Sequence, residues 1–229
     1  MKWFRRTSPP TEPPPDFIVR YQQAARTKPA ASLPLQQIRF VVYDTETTGL
    51  NPKKDHWLSL GAVVVQDRSI RVEQSLEFTL LQTDVDIAEQ VGVHGITQQS
   101  LTEGTSESEV LPEWLSFIEG AVLVAHHAAF DEQIINQALH RHYTDYKVRL
   151  RNPTLDTAQL AKRLDRFNTM PGAQNPAHYS LDALCQRYHL TPNDRHTAAG
   201  DAFLTAHLLL KLLAQAEKRG IRTYRQLMG

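Results

Sequence analysis

At 229 residues the chain has the length of one α/β domain with some excess, enough to bury a substantial core without disulfide or metal staples. A hydrophobic share of 41% and a charged share of 22% exclude a disordered chain, and 25 basic against 25 acidic residues leave no global charge to mark a polyanion binder. The single cysteine excludes an internal disulfide, no apolar run approaches the roughly 20 residues that span a membrane, and the basic start Met1-Lys2-Trp3-Phe4-Arg5-Arg6 lacks the apolar stretch of a secretory signal, so a cytoplasmic protein with no membrane partner is expected.

Residues 1–35 read as a proline-rich N-terminal extension. Pro9, Pro10, Pro13, Pro14 and Pro15 favour extended backbone, and Asp16 then caps a short helix carrying Phe17, Ile18, Tyr21 and Ala25. That helix is too short to be stable alone, so it either packs on the domain or docks a protein partner. Residues 36–229 form the main domain. Ile38 to Thr47, Leu58 to Gln66 and Val72 to Gln82 are rich in β-branched residues and separated by turn signals, which predicts a three-stranded antiparallel meander. Ser106-Glu107-Ser108-Glu109 offers a capping box for a helix to about Gly120. A short strand at Ala121 to Ala125 precedes a helix from about Ala128 to His142. Leu150 to Leu155 is the next strand, followed by a helix that Asp156 caps. Asn168 to Tyr179, with Pro171, Gly172 and Pro176, is a loop, and two helices follow from about Ser180 and from about Thr197 to Arg219. Cys185 falls in an apolar-patterned run and reads as a small core residue. Three strands and then alternating helices and strands predict an α/β fold, a mixed sheet with helices on its faces.

Four acids stand out against this pattern. Asp44 and Glu46 lie two apart near the end of the first strand, so they share a face with Phe40 and Val42. Two such carboxylates cannot both stay ionised cheaply beside an apolar sheet, and a divalent cation resolves the conflict; oxygen ligands favour Mg²⁺ or Mn²⁺. A solvent-facing acidic pair at a strand end is the plainer alternative. Asp131 lies in register with Ile134, Ile135, Ala138 and Leu139, interrupting the stripe that should face the core. Favourable interaction with the helix dipole is its competing explanation. Asp201 interrupts a second stripe of Ala198, Ala202, Thr205, Leu208, Leu209 and Leu212, and no lysine or arginine lies within one turn on that face. The small residues Ala198, Ala199, Gly200 and Ala202 let this helix approach the sheet closely. His196, five residues before Asp201, falls outside the stripe, in the first turn or the loop ahead of it. Histidine is suited to taking a proton from water near neutral pH.

The segments Asp44-Thr45-Glu46-Thr47-Thr48-Gly49-Leu50, His126-His127-Ala128-Ala129-Phe130-Asp131 and His196-Thr197-Ala198-Ala199-Gly200-Asp201 resemble, in order, the three motifs of the DnaQ-like, or DEDDh, exonucleases. The resemblance spans about Ile38 to Leu213, and His94-Gly95-Ile96-Thr97 and Thr154-Leu155-Asp156-Thr157 are secondary matches. One position departs: the second motif usually has asparagine where His127 stands. The family resemblance implies a ribonuclease H-like mixed five-stranded sheet, three antiparallel strands then parallel ones. It also implies a 3′→5′ exonuclease releasing nucleoside 5′-monophosphates with two Mg²⁺ ions, for which Mn²⁺ can substitute. By that resemblance Asp44, Glu46, Asp131 and Asp201 are metal ligands and His196 is the general base. The backbone amides around Thr45, Thr47 and Thr48, with Leu50, His94 and Phe130, would contact the terminal nucleotide of a nucleic-acid 3′ end. For Leu50 and Phe130 ordinary packing is an equal alternative. Asp156 is explained by helix capping without catalysis.

Asp44-x-Glu46-Thr47 faintly resembles phosphatases with a D-x-D-x-T nucleophile, but those need aspartate at Glu46 and leave His196 and Asp201 unexplained. A non-catalytic nucleic-acid-binding or scaffold protein on the same fold would be marked by a missing ligand, and all five positions are filled. The end at Gly229, soon after the last long helix, favours a stand-alone repair or RNA-trimming nuclease over a polymerase proofreading subunit. DNA and RNA are told apart by contacts to the 2′-hydroxyl, which sequence does not display.

Overall fold

The fold was analysed in a computed structural model, which describes residues 12–85, 87, 95–165, 175–192 and 194–229. Five strands, β1 (Phe40–Thr47), β2 (Trp57–Gln66), β3 (Ser69–Thr79), β4 (Val122–Ala125) and β5 (Thr154–Asp156), form one sheet in the order β3-β2-β1-β4-β5. β1–β2 and β2–β3 pair antiparallel, whereas β1–β4 and β4–β5 pair parallel. This is the mixed sheet expected from the strand-rich first half and the alternating second half, with the central strand β1 carrying the first two acids.

The helices divide between the two faces of the sheet. In chain order they are α1 (Asp16–Ala24), α2 (Gln98–Thr102), α3 (Glu107–Phe117), α4 (Ala129–Tyr143), α5 (Thr157–Asp165), α6 (Leu181–Arg187), α7 (Ala198–Lys218) and α8 (Tyr224–Met228). Alternation along β1 feeds both layers. Val41 and Tyr43 join Ile18, Tyr21, Val110, Trp114, Ile134, Ile135 and Leu139 of α1, α3 and α4 in one core. Phe40 and Val42 join Ala158, Leu184, Cys185, Leu204, Leu208 and Leu212 of α5, α6 and α7 in the other.

Several element boundaries moved. The expected strand at Leu150 to Leu155 shrinks to Thr154–Asp156 because the preceding residues are committed elsewhere. Leu150 N–H donates to Asn136, Pro153 has no N–H, and the Asn152 amide donates to the carbonyls of Ile118 and Ala121. β3 begins and ends three residues earlier than its pattern suggests. Asp16 is the first helical residue, with Pro15 as the N-cap. Pro176–Tyr179 of the expected loop is a 3₁₀ turn, while Pro171 and Gly172 lie outside the described residues. The Ser106–Glu109 capping box is present, and Asp156 caps α5 by accepting from Gln159 N–H at 3.1 Å.

Helix α1 is part of the body. Ile18 and Tyr21 are buried against α3, and the Tyr21 hydroxyl donates to Asn152 Oδ1 at 2.7 Å while accepting from Arg151 N–H at 2.8 Å. Cys185 is buried, as its pattern indicates. No helix among the described residues is long and apolar enough to cross a membrane.

Candidate active site

The site is built where β1 ends and three helices begin or pack. Asp44 and Glu46 face the α7 layer, opposite Gly61 and Ser59 of β2, and a bulge follows Glu46. Gly61 decides how close α7 can come. A Cβ there would lie 2.3 Å from Ala198 C and Ala199 N, so the first turn of the helix rests directly on the sheet beside Asp44. Thr197 caps α7 by accepting from Gly200 N–H at 3.0 Å, and Asp201 follows in the first turn, 7% exposed. Oxygens of Asp44, Glu46 and Asp201 lie within 4.8 Å of one another.

Asp131 reaches the site from the other face. It is 4% exposed in the first turn of α4, beside Ile134, Ile135, Ala138 and Leu139, as the stripe predicts. Its Oδ1 accepts from Thr45 N–H at 3.1 Å and from Thr45 Oγ1 at 2.7 Å. Its charge acts on Asp44, although it stands outside the three-carboxylate group.

The electrostatics report crowding of like charge. Burial, followed by repulsion from Asp131, Asp201 and Glu46, drives the Asp44 carboxyl well above its ordinary range. Burial and then Asp201 push Glu46 up to about 7, with Arg195 opposing. Burial raises Asp131 to about 7 against the stabilising bonds from Thr45. Asp201 has one oxygen, Oδ2, ion-paired with Arg195 Nη1, and a second, Oδ1, that is buried without a hydrogen-bond partner. An orphaned buried carboxylate oxygen beside two more acids that resist ionisation fits a hard divalent cation with oxygen ligands.

Arg195 gives Asp201 a basic partner from outside the one turn of α7 in which no lysine or arginine lies. The helical pattern looked only along α7, whereas Arg195 comes from the loop before it, six residues upstream, and is also paired with Asp182 of α6. An arginine beside a motif histidine was the available signal. Gly61 was missed too: it reads as an ordinary strand glycine until the partner helix is in place.

The remaining expected residues scatter in role. His196 is exposed, directly before the Thr197 cap, with φ of 63°. His127 also takes a left-handed φ, 64°, between β4 and α4. Asparagine and histidine are both enriched in that region, so the departure from the family motif preserves the turn. His126 Nδ1 lies 2.9 Å from Thr157 Oγ1, and burial, then the neighbouring His127, lowers it to about 4. The amides of Thr45 and Thr48 are not free to clamp a nucleotide, since they donate to Asp131 and to His56 O. The Thr47 hydroxyl donates to Gly49 O and that of Thr48 to Asp55, bracing the β1–β2 loop. Leu50, at the tip of that loop, is 89% exposed, which leaves packing no part in it. Phe130 is partly buried against the α4 core. His94 lies outside the described residues.

In sequence and in fold the chain is similar to known exonucleases. A family model described as exonuclease matches residues 41–209. The DNA polymerase III subunit epsilon-like protein of Rhodobacter capsulatus is 38% identical over 199 residues, covering 85% of this chain and 26% of that protein. The PolC-type DNA polymerase III of Thermotoga petrophila is 35% identical over 184 residues, covering 80% of this chain and 12% of that protein. The chain thus spans about an eighth to a quarter of the length of these relatives. E. coli exonuclease I, solved with a dT13 oligonucleotide, shares the fold with a TM-score of 0.64 at 18% identity, over 80% of this chain and 43% of that one. With three motifs in order, an acid cluster at the end of β1 and a family match over most of its length, the chain belongs to the DnaQ-like (DEDDh) exonuclease family.

Proposed function

We propose that the chain is a metal-dependent 3′→5′ exonuclease acting on the 3′ end of DNA and releasing nucleoside 5′-monophosphates. The observation that carries this reading is the group of Asp44, Glu46 and Asp201 within 4.8 Å, with the Oδ1 of Asp201 buried and unpaired. Asp44, Glu46 and Asp201 would hold one divalent cation, and Asp44 with Asp131 a second, Mg²⁺ or Mn²⁺ in each case. Bound there, the cations supply charge stabilisation at the phosphate and a more acidic water.

The chain's own residues supply the rest. His196, exposed ahead of α7, takes the proton of the attacking water at a ring nitrogen. Thr45 holds Asp131 through two hydrogen bonds, and Gly61 holds the first turn of α7 against β1. Thr47 and Thr48 fix the β1–β2 loop so that Leu50 is presented to the terminal base. A DNA substrate, single-stranded at its end, is favoured by the DNA polymerase relatives and by the oligonucleotide named with exonuclease I.

The test is degradation of 3′-labelled single-stranded DNA, duplex DNA and RNA with Mg²⁺, Mn²⁺ or chelator. Mononucleotide release only with metal, loss in Asp44→Ala and Asp201→Ala, and a drop of about 10²–10⁴ in His196→Ala are expected. Full activity in chelator or in Asp44→Ala would refute the reading.

A further inference from the structure

The two oxygens of Asp201 have different fates. Oδ2 is ion-paired with Nη1 of Arg195, whose Nε donates to Asp182 Oδ1 at 2.8 Å. Oδ1 is buried without a partner, in a residue that contributes an oxygen to the group with Asp44 and Glu46. The loop is shaped to send Arg195 back onto the first turn of α7. Asp194 and His196 on either side of it hold φ of 51° and 63°, in the left-handed region that few non-glycine residues adopt. The Thr197 hydroxyl donates to Asp194 O at 2.8 Å, and a Cβ at Gly200 would lie only 2.0 Å from that same carbonyl, so the loop folds tightly onto the helix.

We infer that Arg195, anchored by Asp182, is a positioning residue that fixes Asp201 so that its free oxygen is presented to the divalent cation shared with Asp44 and Glu46. The inference deepens the metal-dependent reading above and rests on it. Two effects of a guanidinium here oppose each other. Its charge repels a cation, whereas its hold on Oδ2 spares the carboxylate from being ordered when the cation binds. The geometry decides between them. Arg195 is drawn outward to the exposed Asp182 and engages only Oδ2 of Asp201, leaving Oδ1 without a partner. Its contribution is therefore orientation, as is usual for groups hydrogen-bonded to metal ligands.

The experiment is a Mn²⁺ titration of the full chain without nucleic acid, with free ion read by EPR. Arg195→Gln should weaken binding about 10–100-fold. Asp182→Asn, at a side chain 66% exposed and remote from the core, should weaken it in the same direction by less. The double variant should bind no more weakly than Arg195→Gln, because Asp182 acts through Arg195. Unchanged or tighter binding in Arg195→Gln would overturn the inference, as would an Asp182→Asn effect that persists in full in the double variant. Should Arg195→Gln not fold, unchanged affinity in Asp182→Asn overturns it alone. A wild type that binds Mn²⁺ but degrades no oligonucleotide refutes the exonuclease reading and leaves this inference standing; a wild type that binds no Mn²⁺ refutes both.

Discussion

Replacing Gly61 by alanine adds one methyl group at the point where α7 rests on the sheet. That methyl would sit 2.3 Å from Ala198 C and Ala199 N and 2.4 Å from Ala198 O, all backbone atoms that cannot rotate away. Carbon atoms prefer about 3.5–4.0 Å, so the first turn of α7 must retreat by about 1 Å. Overpacking of this kind costs about 1–3 kcal/mol of stability. The larger effect falls on function, because Gly61 is paired with Asp44 and the retreating turn carries Asp201. A 1 Å displacement of a positioned group costs roughly 100-fold in rate. Urea denaturation would measure the first quantity, and single-turnover release of the 3′-terminal nucleotide at saturating Mg²⁺ the second. An activity loss far exceeding the stability loss is expected. Gly61→Ala with wild-type turnover would refute the claim that this contact sets the spacing between the acids.

Three further outcomes follow from the same geometry. Glu46 and Asp131, both raised to about 7, bind protons in the folded metal-free chain at pH values where the unfolded chain has released them. The unfolded state therefore holds fewer protons between about pH 4 and 7, and in chelator the melting temperature should rise as pH falls from 7.5 to 5.5, with saturating Mg²⁺ abolishing the trend. A flat or opposite profile in chelator would contradict the crowding of these carboxyls. Asp156→Ala should cost about 1 kcal/mol, read by urea denaturation, through loss of the α5 cap, with turnover kept within a few-fold. Leu50→Ala should leave stability within about 0.5 kcal/mol and raise KM for an oligonucleotide about fivefold, the worth of roughly 1 kcal/mol of apolar contact.

The acids were legible because each breaks a pattern that is itself local. Asp44 and Glu46 follow from two-residue alternation on β1, and Asp131 and Asp201 interrupt stripes that the structure buries as expected. Arg195 was not legible, because it meets Asp201 through a loop with two left-handed residues, and no helical or strand period describes such a path. The Thr45–Asp131 bonds were hidden for a related reason: they join opposite ends of a crossover, and only the parallel pairing of β1 with β4 brings those ends together. Residues 150–153 read as strand by composition, yet their backbone and side-chain groups are spent on the turn that holds Tyr21 and Ile118.

The sheet separates Asp201 on one side from Asp131 on the other, with Asp44 and Glu46 on the strand between. About 150 residues lie between Asp44 and Asp201, which at 5–20 residues per second is on the order of 10–30 s of synthesis. During that interval a growing chain can form the meander and the α3–α4 layer while lacking the third carboxylate of the cluster. A cluster divided this way is complete only once α7 docks, and a chain without that helix lacks its third carboxylate.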